Sequence, residues 1–349
     1  MGSSGRRRLL GAALALALGA ALPAAVPSAA VAQPADGTAC AWQVTALPVP
    51  AGSGGVVVTG EATDALVVGY ATINRVTRGV IWRNGVPEVM PEFADGSENL
   101  PQDINSSGVV VGFRRTTTST SPWQYVDRAY RYQDGVYHFL PGYASKIVAS
   151  RAVAINEAGD VVGIVKPYTD TGAAYTKSVF WPASAPNTFQ VIDAYSAHDD
   201  APLGIDDQGR VLFRDVLWGP NQIDLPLSGT RDGAAARVYS AGRIVGWQQG
   251  DDDTMHVVEW DQSGEISRVL PGDGYPDAVN AAGTIAGVAA DPETGRYRPA
   301  LWRDGQFAGF ISDPRPDIIV GLTDDEVVIG DYVANTTTGT RVPALWRCS

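Results

Sequence analysis

The sequence has few of the residues on which common catalytic and metal-binding motifs depend. It contains only three histidines, His138, His198 and His256, and none has a Cys or His partner at the spacing of a metal site. No Gly-x-Ser-x-Gly, His-Glu-x-x-His or phosphate-binding loop occurs. These absences favour a non-catalytic protein, although a pair of glycosidase carboxylates would converge only in three dimensions and leave no local pattern.

Basic charge is also scarce in this chain. Asp and Glu number 38 against 26 Lys and Arg, and only three of the basic residues are lysines. Nucleic acid binding needs a basic surface that contacts phosphates, so the composition excludes nucleic acid as a partner. The acidic balance fits a soluble extracellular protein, or one with cationic or metal partners.

Long apolar runs are absent beyond the N-terminus. There, Arg6–Arg8 precede an apolar run, and Ala30–Ala32 present the small residues of a signal-peptidase site. The pattern predicts a cleaved signal peptide over residues 1–32 and a mature chain over 33–349 without a membrane segment. The adjacent arginines resemble a twin-arginine signal at some positions only, so the Sec and twin-arginine routes both stay open.

Cysteine occurs only twice, as Cys40 and Cys348. In an exported chain, two cysteines predict a single disulfide. Lipidation of Cys40 is excluded, because a lipobox needs an apolar residue three positions earlier and Gly37 stands there. We expect a secreted, extracellular protein that is a monomer.

What the sequence does contain is a repeat. Each copy begins with an apolar residue, which is followed by Asn or Asp, by two spacer residues and by Gly. An apolar strand that ends in Gly comes next, as in Ile104–Gly112 and Ile155–Gly163. These anchors lie 33 to 51 residues apart, a period typical of propeller blades with four strands each. Further copies begin at Ile205 and at Val279, and in the copy at Ile205 the final glycine is replaced by Phe213. Copies that match the pattern only in part end at Gly69, Gly246 and Gly330.

Each copy of this glycine-containing motif is followed by a second recurring feature of the repeat, a short strand that ends in an aromatic residue. Tight turns such as Asn84-Gly85, Asp134-Gly135 and Asp304-Gly305 come next, and these dipeptides are strong hairpin signals. A last strand commonly closes on an apolar residue and proline, as at Leu140-Pro141. Each repeat thus predicts an antiparallel meander of strands a, b, c and d. The aromatic anchors are Trp82, Tyr132, Trp181, Trp218, Trp260, Trp302 and Trp346.

The last repeat stops after strand c, and residues 42–48 carry the strand-d pattern with no strand c before them. The chain is therefore predicted to be an all-β protein with one domain over 33–349. That domain is a seven-bladed β-propeller whose N-terminal strand completes the C-terminal blade, which removes exposed sheet edges. Aligned with the other blades, Cys40 and Cys348 fall where a c–d turn would stand, so the disulfide would replace that turn.

The repeats resemble the HAF family of extracellular repeats, named for His-Ala-Phe before Leu-Trp in strand c. The corresponding segments here are Arg298–Trp302, Lys177–Trp181 and Arg78–Trp82. The resemblance implies an extracellular location and a propeller-like array, without a common reaction. Arg or Lys replaces the family's His in most copies, and His256 alone keeps an imidazole.

A basic residue lies four positions before most of the strand-c aromatic anchors, on the same face of the strand. A ring of cations at these positions could bind an anionic ligand. Repetition in every blade favours instead a structural ring with one ion pair or backbone contact per blade. The ring consists of Arg78, Arg128, Lys177, Arg214, His256 and Arg298, with Arg341 displaced by one position.

The connections are asymmetric, because a–b and c–d turns are short whereas b–c loops such as 114–127 and d–a connections such as 193–202 are long. In an up-and-down blade the long connections emerge together, so we call this side the long-loop face. Loops on a rigid scaffold carry function, and aromatic residues there predict contact with a ligand. The candidate ligand-binding residues are Trp123, Tyr125, Tyr168, Tyr175, Trp247, His198 and Asp199; Tyr195, Tyr275 and Tyr297 share the face.

No cofactor is expected. The acidic runs at 251–253 and 199–200 could supply calcium ligands, but neither has the alternating spacing of a dedicated calcium loop. The sequence thus favours a secreted, non-catalytic binding or scaffolding module whose long-loop face contacts an extracellular glycan, peptide or surface component. The alternative is a secreted polysaccharide hydrolase or lyase with carboxylates in the central funnel.

Overall fold

The structure, a computed structural model, describes residues 40–120, 123–142, 147–167, 176–193, 201–220, 224–230, 233–251, 253–312, 314–337 and 339–348. Twenty-eight β-strands and no α-helix occur in this part of the chain. The strands form seven antiparallel sheets of four strands, arranged a, b, c, d from the inside outward; in six sheets this is also the chain order, and in the seventh strand d comes from the N-terminus. The predicted seven-bladed β-propeller is confirmed.

Blades 1 to 3 follow one another along the chain after the N-terminal strand. Blade 1 consists of β2 (Ser53–Thr63), β3 (Leu66–Ile73), β4 (Val76–Arg83) and β5 (Val86–Val89). Blade 2 consists of β6 (Glu98–Ile104), β7 (Val110–Thr120), β8 (Trp123–Gln133) and β9 (Val136–Phe139). Blade 3 consists of β10 (Ile147–Ile155), β11 (Val161–Pro167), β12 (Lys177–Trp181) and β13 (Gln190–Val191).

Blades 4 to 7 complete the ring. Blade 4 consists of β14 (Gly204–Ile205), β15 (Val211–Leu212), β16 (Val216–Trp218) and β17 (Leu225–Pro226). Blade 5 consists of β18 (Ala234–Ser240), β19 (Arg243–Gln249), β20 (Met255–Trp260) and β21 (Ile266–Val269). Blade 6 consists of β22 (Gly274–Val279), β23 (Ile285–Ala290), β24 (Tyr297–Arg303) and β25 (Gln306–Phe310). Blade 7 consists of β26 (Ile318–Leu322), β27 (Val328–Asn335), β28 (Thr340–Cys348) and β1 (Trp42–Ala46).

The N-terminal strand closes the ring as predicted. Strand β1 pairs antiparallel with β28, with Trp42 opposite Cys348, and so becomes strand d of blade 7. A disulfide joins Cys40 to Cys348 across a sequence separation of 308 residues. The disulfide therefore stands where the other blades have a c–d turn.

The c–d turns also match their prediction. Asn84 and Gly85 have φ values of 50° and 77°, and Asp304 and Gly305 have 51° and 76°. Two consecutive positive φ values define the type I′ hairpin that Asn-Gly and Asp-Gly favour. The predicted b–c loop 114–127 is mostly strand instead, because β7 and β8 continue as a long hairpin whose ladder runs out to Thr120 and Trp123.

Apolar residues pack between blades rather than within a central core. Within the described residues, seven buried clusters are found, one at each interface between neighbouring blades. At the seam between the last and first blades, for example, Ile329 and Leu345 of blade 7 pack with Val67 and Trp82 of blade 1. Each blade thus buries both of its faces against a neighbour, as a closed ring requires.

The repeated glycine of strand b has a steric cause. A Cβ on Gly163 would lie 2.0 Å from the carbonyl oxygen of Arg151, and one on Gly246 would lie 2.0 Å from that of Ala235. Strand a bulges immediately beyond this contact in every blade except blade 4. Blade 4, in which Phe213 replaces the glycine, keeps only a two-residue pairing between its strands a and b. The bulge explains why the sequence repeats glycine at this position.

Candidate functional site

The channel along the ring axis contains a cavity of about 740 Å³. Strands a and a–b turns from all seven blades form its walls, so it lies toward the face opposite the long-loop face. The inserted residues of the strand-a bulges, such as Gln102 and Arg237, belong to this lining. Among the described residues, the lining contains a single cation, Arg237, and nine carboxylates: Glu61, Asp64, Asp103, Glu157, Asp206, Asp207, Asp277, Asp324 and Asp325.

Glu61 occupies a position that other blades give to an apolar residue such as Ile104. Its carboxylate accepts a hydrogen bond from the backbone N–H of Leu322 in blade 7. A Cβ on Gly321 would lie 2.1 Å from Glu61 Oε1, so glycine at 321 leaves room for the carboxylate at the seam. Burial and the nearby charge of Asp103 raise the pKa of Glu61 to about 8, so this carboxyl keeps its proton at neutral pH.

Asp103 connects blade 2 to blade 3. Its carboxylate accepts hydrogen bonds from the N–H of Ile104 at 2.8 Å and from the N–H of Ile155 at 2.9 Å. Burial raises the pKa of Asp103 to about 6, against the lowering effect of these two donors. Glu61 and Asp103 thus form a pair of carboxyls in the channel that titrate at different pH values, as an acid and a base would.

Other carboxylates of the lining bridge neighbouring blades. Arg237 of blade 5 donates to Asp277 of blade 6 at 2.6 Å. The Tyr239 hydroxyl of blade 5 donates to Asp206 of blade 4 at 2.5 Å. Asp64 of blade 1 pairs with Arg347 of blade 7. These bonds give part of the acidic lining a structural role.

The long-loop face carries a cluster of three aromatic side chains, which we call the aromatic trio: Trp247, Tyr275 and Tyr297. The ring centroids of Trp247 and Tyr275 are 6.0 Å apart, and those of Tyr275 and Tyr297 are 5.7 Å apart. Tyr297 is 45% exposed, and its hydroxyl donates to Asp273 Oδ1 at 2.8 Å. Partial burial and the Asp273 carboxylate raise the pKa of Tyr297 to about 12, so the hydroxyl stays protonated.

The other ligand-binding candidates are less well grouped. Tyr125 lies on blade 2, where the Arg115 guanidinium is 4.9 Å from its ring centroid, whereas Trp247 lies on blade 5. The backbone of Trp123 begins β8. Tyr168, Tyr175, Tyr195, His198 and Asp199 lie outside the described residues.

The predicted cation ring consists mostly of partnered side chains. Arg78 pairs with Glu92 at 2.9 Å, Lys177 with Asp193 at 3.6 Å, and Arg298 with Asp291 at 2.7 Å. Arg341 pairs with both Asp317 and Asp331, and His256 lies 3.3 Å from the carbonyl oxygen of Gly272. Asp291 and Asp331 belong to the blade of their cation, whereas Glu92, Asp193, Gly272 and Asp317 lie in connections between consecutive blades. Arg214 contributes its backbone carbonyl to the N–H of Ala236 in blade 5, and Arg128 stacks on Phe139.

In the part of the chain that the structure describes, no three His, Cys, Asp or Glu side chains are grouped closely enough to hold a metal ion. That part also contains no helix of the length and apolarity needed to span a bilayer.

Comparisons with known proteins bear on the fold. No family model matches the chain, so the resemblance to HAF repeats has no support from one, and no curated protein matches. The chain is similar to the β-propeller domain of the Trilobed protease from Pyrococcus furiosus, with 12% identity and a TM-score of 0.51, covering 83% of this chain and 95% of that one. A streptogramin B lyase structure is 11% identical with a TM-score of 0.48, covering 88% of this chain and 98% of that one. At such identity the likeness to the protease domain concerns the propeller fold alone.

Sequence reasoning did not identify the channel carboxylates or the aromatic trio as groups. Glu61, Asp103 and Asp277 lie in three blades, and only the ring brings them to one cavity. An alignment of the seven strands a would have found them, because each lies within two residues of the bulge.

Proposed function

We propose that the protein is an exported binding module that contacts an extracellular ligand through the aromatic trio on its long-loop face. The observation that carries this proposal is the clustering of Trp247, Tyr275 and Tyr297 from two neighbouring blades. Tyr297 is exposed, the rings of Trp247 and Tyr275 beside it are half-buried, and amphipathic aromatic side chains grouped in this way on a rigid scaffold are typical of binding surfaces.

The chemistry of the aromatic trio favours a glycan, with a peptide or surface component as the other ligand classes. Aromatic faces accept the apolar face of a sugar ring, and polar groups at the rim hydrogen-bond its hydroxyls. Tyr297 and Asp273 supply a hydroxyl and a carboxylate beside the rings. The signal segment expected at 1–32 and the disulfide, which persists in oxidising compartments, support export.

A glycan array probed with the mature protein, residues 33–349, tests the proposal. We expect binding to a subset of glycans, and Trp247→Ala or Tyr275→Ala should weaken it about 5- to 150-fold, since one ring–ligand contact contributes about 1–3 kcal/mol. The matched control is Val269→Ala, which removes exposed apolar surface from the outer strand of blade 5. Absence of binding, or binding that both aromatic substitutions leave unchanged, would refute the role of the trio.

The acidic channel favours a second candidate, a hydrolase or lyase acting on polysaccharide. Its support is the pairing of Glu61, which keeps its proton at neutral pH, with Asp103, whose pKa is about 6. Incubation of the mature protein with polysaccharides, followed by a reducing-end assay, tests this candidate. Activity that is lost in both Glu61→Gln and Asp103→Asn would establish it, and activity retained in both variants would assign the chemistry elsewhere.

A further inference from the structure

Blade 2 departs from the other blades at the cation ring. Its ring residue, Arg128 on β8, lies directly opposite Arg114 on β7. In five other blades the residue opposite the ring cation is uncharged: Ala71, Val165, Gln248, Ala289 and Val333. A functional site is expected to break the symmetry of a repeated structure in this way, whereas a purely structural ring would repeat it.

The two arginines meet on one aromatic ring. The guanidinium carbon of Arg128 lies 4.5 Å from the ring centroid of Phe139, and that of Arg114 lies 5.4 Å from the same centroid. Arg114 also lies 5.7 Å from the ring of Phe93, which stacks with Phe139 at 6.1 Å. Both guanidinium groups therefore lie on the same side of the sheet, above two phenyl rings. We call these four residues the arginine notch.

Among the described residues, the two positive charges of the notch meet a single carboxylate. Like charges directly opposite each other in an antiparallel pair are destabilising. Asp95 neutralises Arg114 at 3.3 Å, but Arg128 is exposed and makes no contact with a carboxylate of the described residues. The equivalent cations of blades 1, 3, 6 and 7 each have an acidic partner within 3.6 Å. Within the described part of the chain, one guanidinium is thus left without an anion, in a protein whose net charge is −12.

We propose that the arginine notch binds an anionic saccharide, with the carboxylate of a uronic acid or a sulfate ester held by Arg128 and Arg114. A guanidinium binds such oxyanions through two parallel hydrogen bonds, and neutralising the pair removes the repulsion between the arginines. Phe139, on whose ring both guanidinium groups lie, holds the two arginines side by side for the anion. This site lies on blade 2, apart from the aromatic trio on blades 5 and 6, and so goes beyond the proposed function.

Affinity electrophoresis of the mature protein tests the proposal with three gels, which contain polygalacturonate, dextran sulfate or uncharged dextran. We expect retardation in at least one anionic gel and none in dextran, and the gel that retards the protein tells carboxylate from sulfate. An acidic protein is repelled by polyanions in the absence of a specific site, so retardation is informative. Arg128→Gln should weaken the retardation at least tenfold, whereas Lys177→Gln, which removes one positive charge at the equivalent position of blade 3, should change it less than twofold.

Thermal unfolding supplies a readout that does not depend on a polymer. Because Arg128 and Arg114 repel each other, Arg128→Gln should melt at or above the temperature of the wild type in ligand-free, low-salt buffer. Galacturonate or sulfate should raise the melting temperature of the wild type and of Lys177→Gln, but not that of Arg128→Gln. The proposal would be overturned if neither anionic gel retarded the protein, or if Arg128→Gln and Lys177→Gln weakened the retardation equally. Loss of binding in Trp247→Ala with retention in Arg128→Gln would assign the ligand to the aromatic trio instead.

Discussion

At the scale of single residues, the carboxyls of the channel link the stability of the protein to pH. Glu61 lies at the seam between blades 7 and 1, and its pKa rises from 4.5 to about 8 on folding. The folded state therefore keeps a proton that the unfolded state loses between these pH values. A group with a raised carboxyl pKa lowers the free energy of unfolding as pH increases through that window. Asp103, with a pKa raised from 3.8 to about 6, acts in the same direction at lower pH.

We predict that Glu61→Gln makes the protein more stable at pH 8.5 and leaves its stability at pH 4 nearly unchanged. Glutamine keeps an oxygen that can accept the hydrogen bond from Leu322 and carries no charge to bury. The gain at pH 8.5 should be on the order of a few kcal/mol, since one pKa unit corresponds to about 1.4 kcal/mol. Differential scanning calorimetry at the two pH values measures it.

The control for this prediction is Asp325→Asn, which removes a carboxylate from the a–b turn of blade 7 in the same channel lining. If the free energy of unfolding rises equally in the two variants at pH 8.5, the effect comes from the general charge of the channel. A loss of stability in Glu61→Gln at pH 8.5 would contradict the assigned protonation state.

At the scale of elements, one hydrogen bond recurs between strand c and the connection that leads into its blade. The indole N–H of Trp82 donates to the carbonyl of Pro48 at 2.8 Å, and that of Trp302 donates to the carbonyl of Pro271 at 2.9 Å. The same bond joins Trp181 to Pro141, Trp260 to Ser228 and Trp346 to Pro314. Pro48 follows β1, so its bond with Trp82 confirms that β1 plays the part of a strand d. The repeated tryptophan thus fixes the entry of each new blade against its own third strand.

We predict that Trp302→Phe destabilises the protein by about 1–3 kcal/mol more than Trp218→Phe does. Both substitutions remove the same ring volume from a buried position. Trp302→Phe also leaves the part-buried Pro271 carbonyl without this donor, and the loss of such a hydrogen bond costs about 1 kcal/mol or more. Trp218 makes no indole hydrogen bond with any described residue, and its ring packs on Phe180 instead. Urea unfolding of the two variants provides the comparison. If both variants lose the same free energy of unfolding, ring volume alone accounts for the effect.

An asparagine supplies a second recurring bond, on the side of the a–b turns. Asn156 accepts the N–H of Asp160 at 2.7 Å within its own turn and donates its amide to the carbonyl of Asp206 in the next blade at 2.7 Å. Asn105 and Asn280 make the same pair of contacts. The repeated Asn-x-x-Gly pattern is therefore both a turn and a link between blades, which explains why Asn recurs there.

At the scale of the whole molecule, closure depends on the seam between blades 7 and 1. Strand β1 adds the fourth strand, the disulfide joins it covalently to β28, and Leu47 donates to the carbonyl of Pro343 at 2.8 Å. Asp64 and Glu61 add contacts across the same seam. Without β1, blade 7 would expose the edge of β28 and part of Trp346, against which Trp42 and Val44 pack.

We predict that the double variant Cys40→Ser/Cys348→Ser unfolds at a clearly lower temperature than the wild type. A crosslink across 308 residues restricts the unfolded chain and stabilises the fold by roughly 5 kcal/mol in the chain-entropy model. Hydrogen exchange should rise first in β1 and β28, because they lose their tether. Reduced wild-type protein should behave like the double variant, and an unchanged melting temperature on reduction would contradict a stabilising role.

The sequence by itself determined the number of blades, their four-strand meander, the type of their c–d turns and the closing disulfide. These features follow from short sequence patterns that act within one blade or between neighbouring blades. The patterns are the glycine of strand b, the Asn-Gly and Asp-Gly turns and the strand-c tryptophan. The long b–c hairpin of blade 2 was missed, because residues 114–127 lack a clean alternation of apolar and polar side chains.

Only the tertiary structure decided which side chains share a site. Glu61 and Asp103 meet because strands a of different blades converge on one axis, and Trp247 joins Tyr275 across an interface between blades. Arg114 and Arg128 belong to one hairpin, but their contact with Phe139 depends on the register of three strands. A one-residue change in register would move these side chains to the opposite face of the sheet, so no local pattern could assign them to a common site.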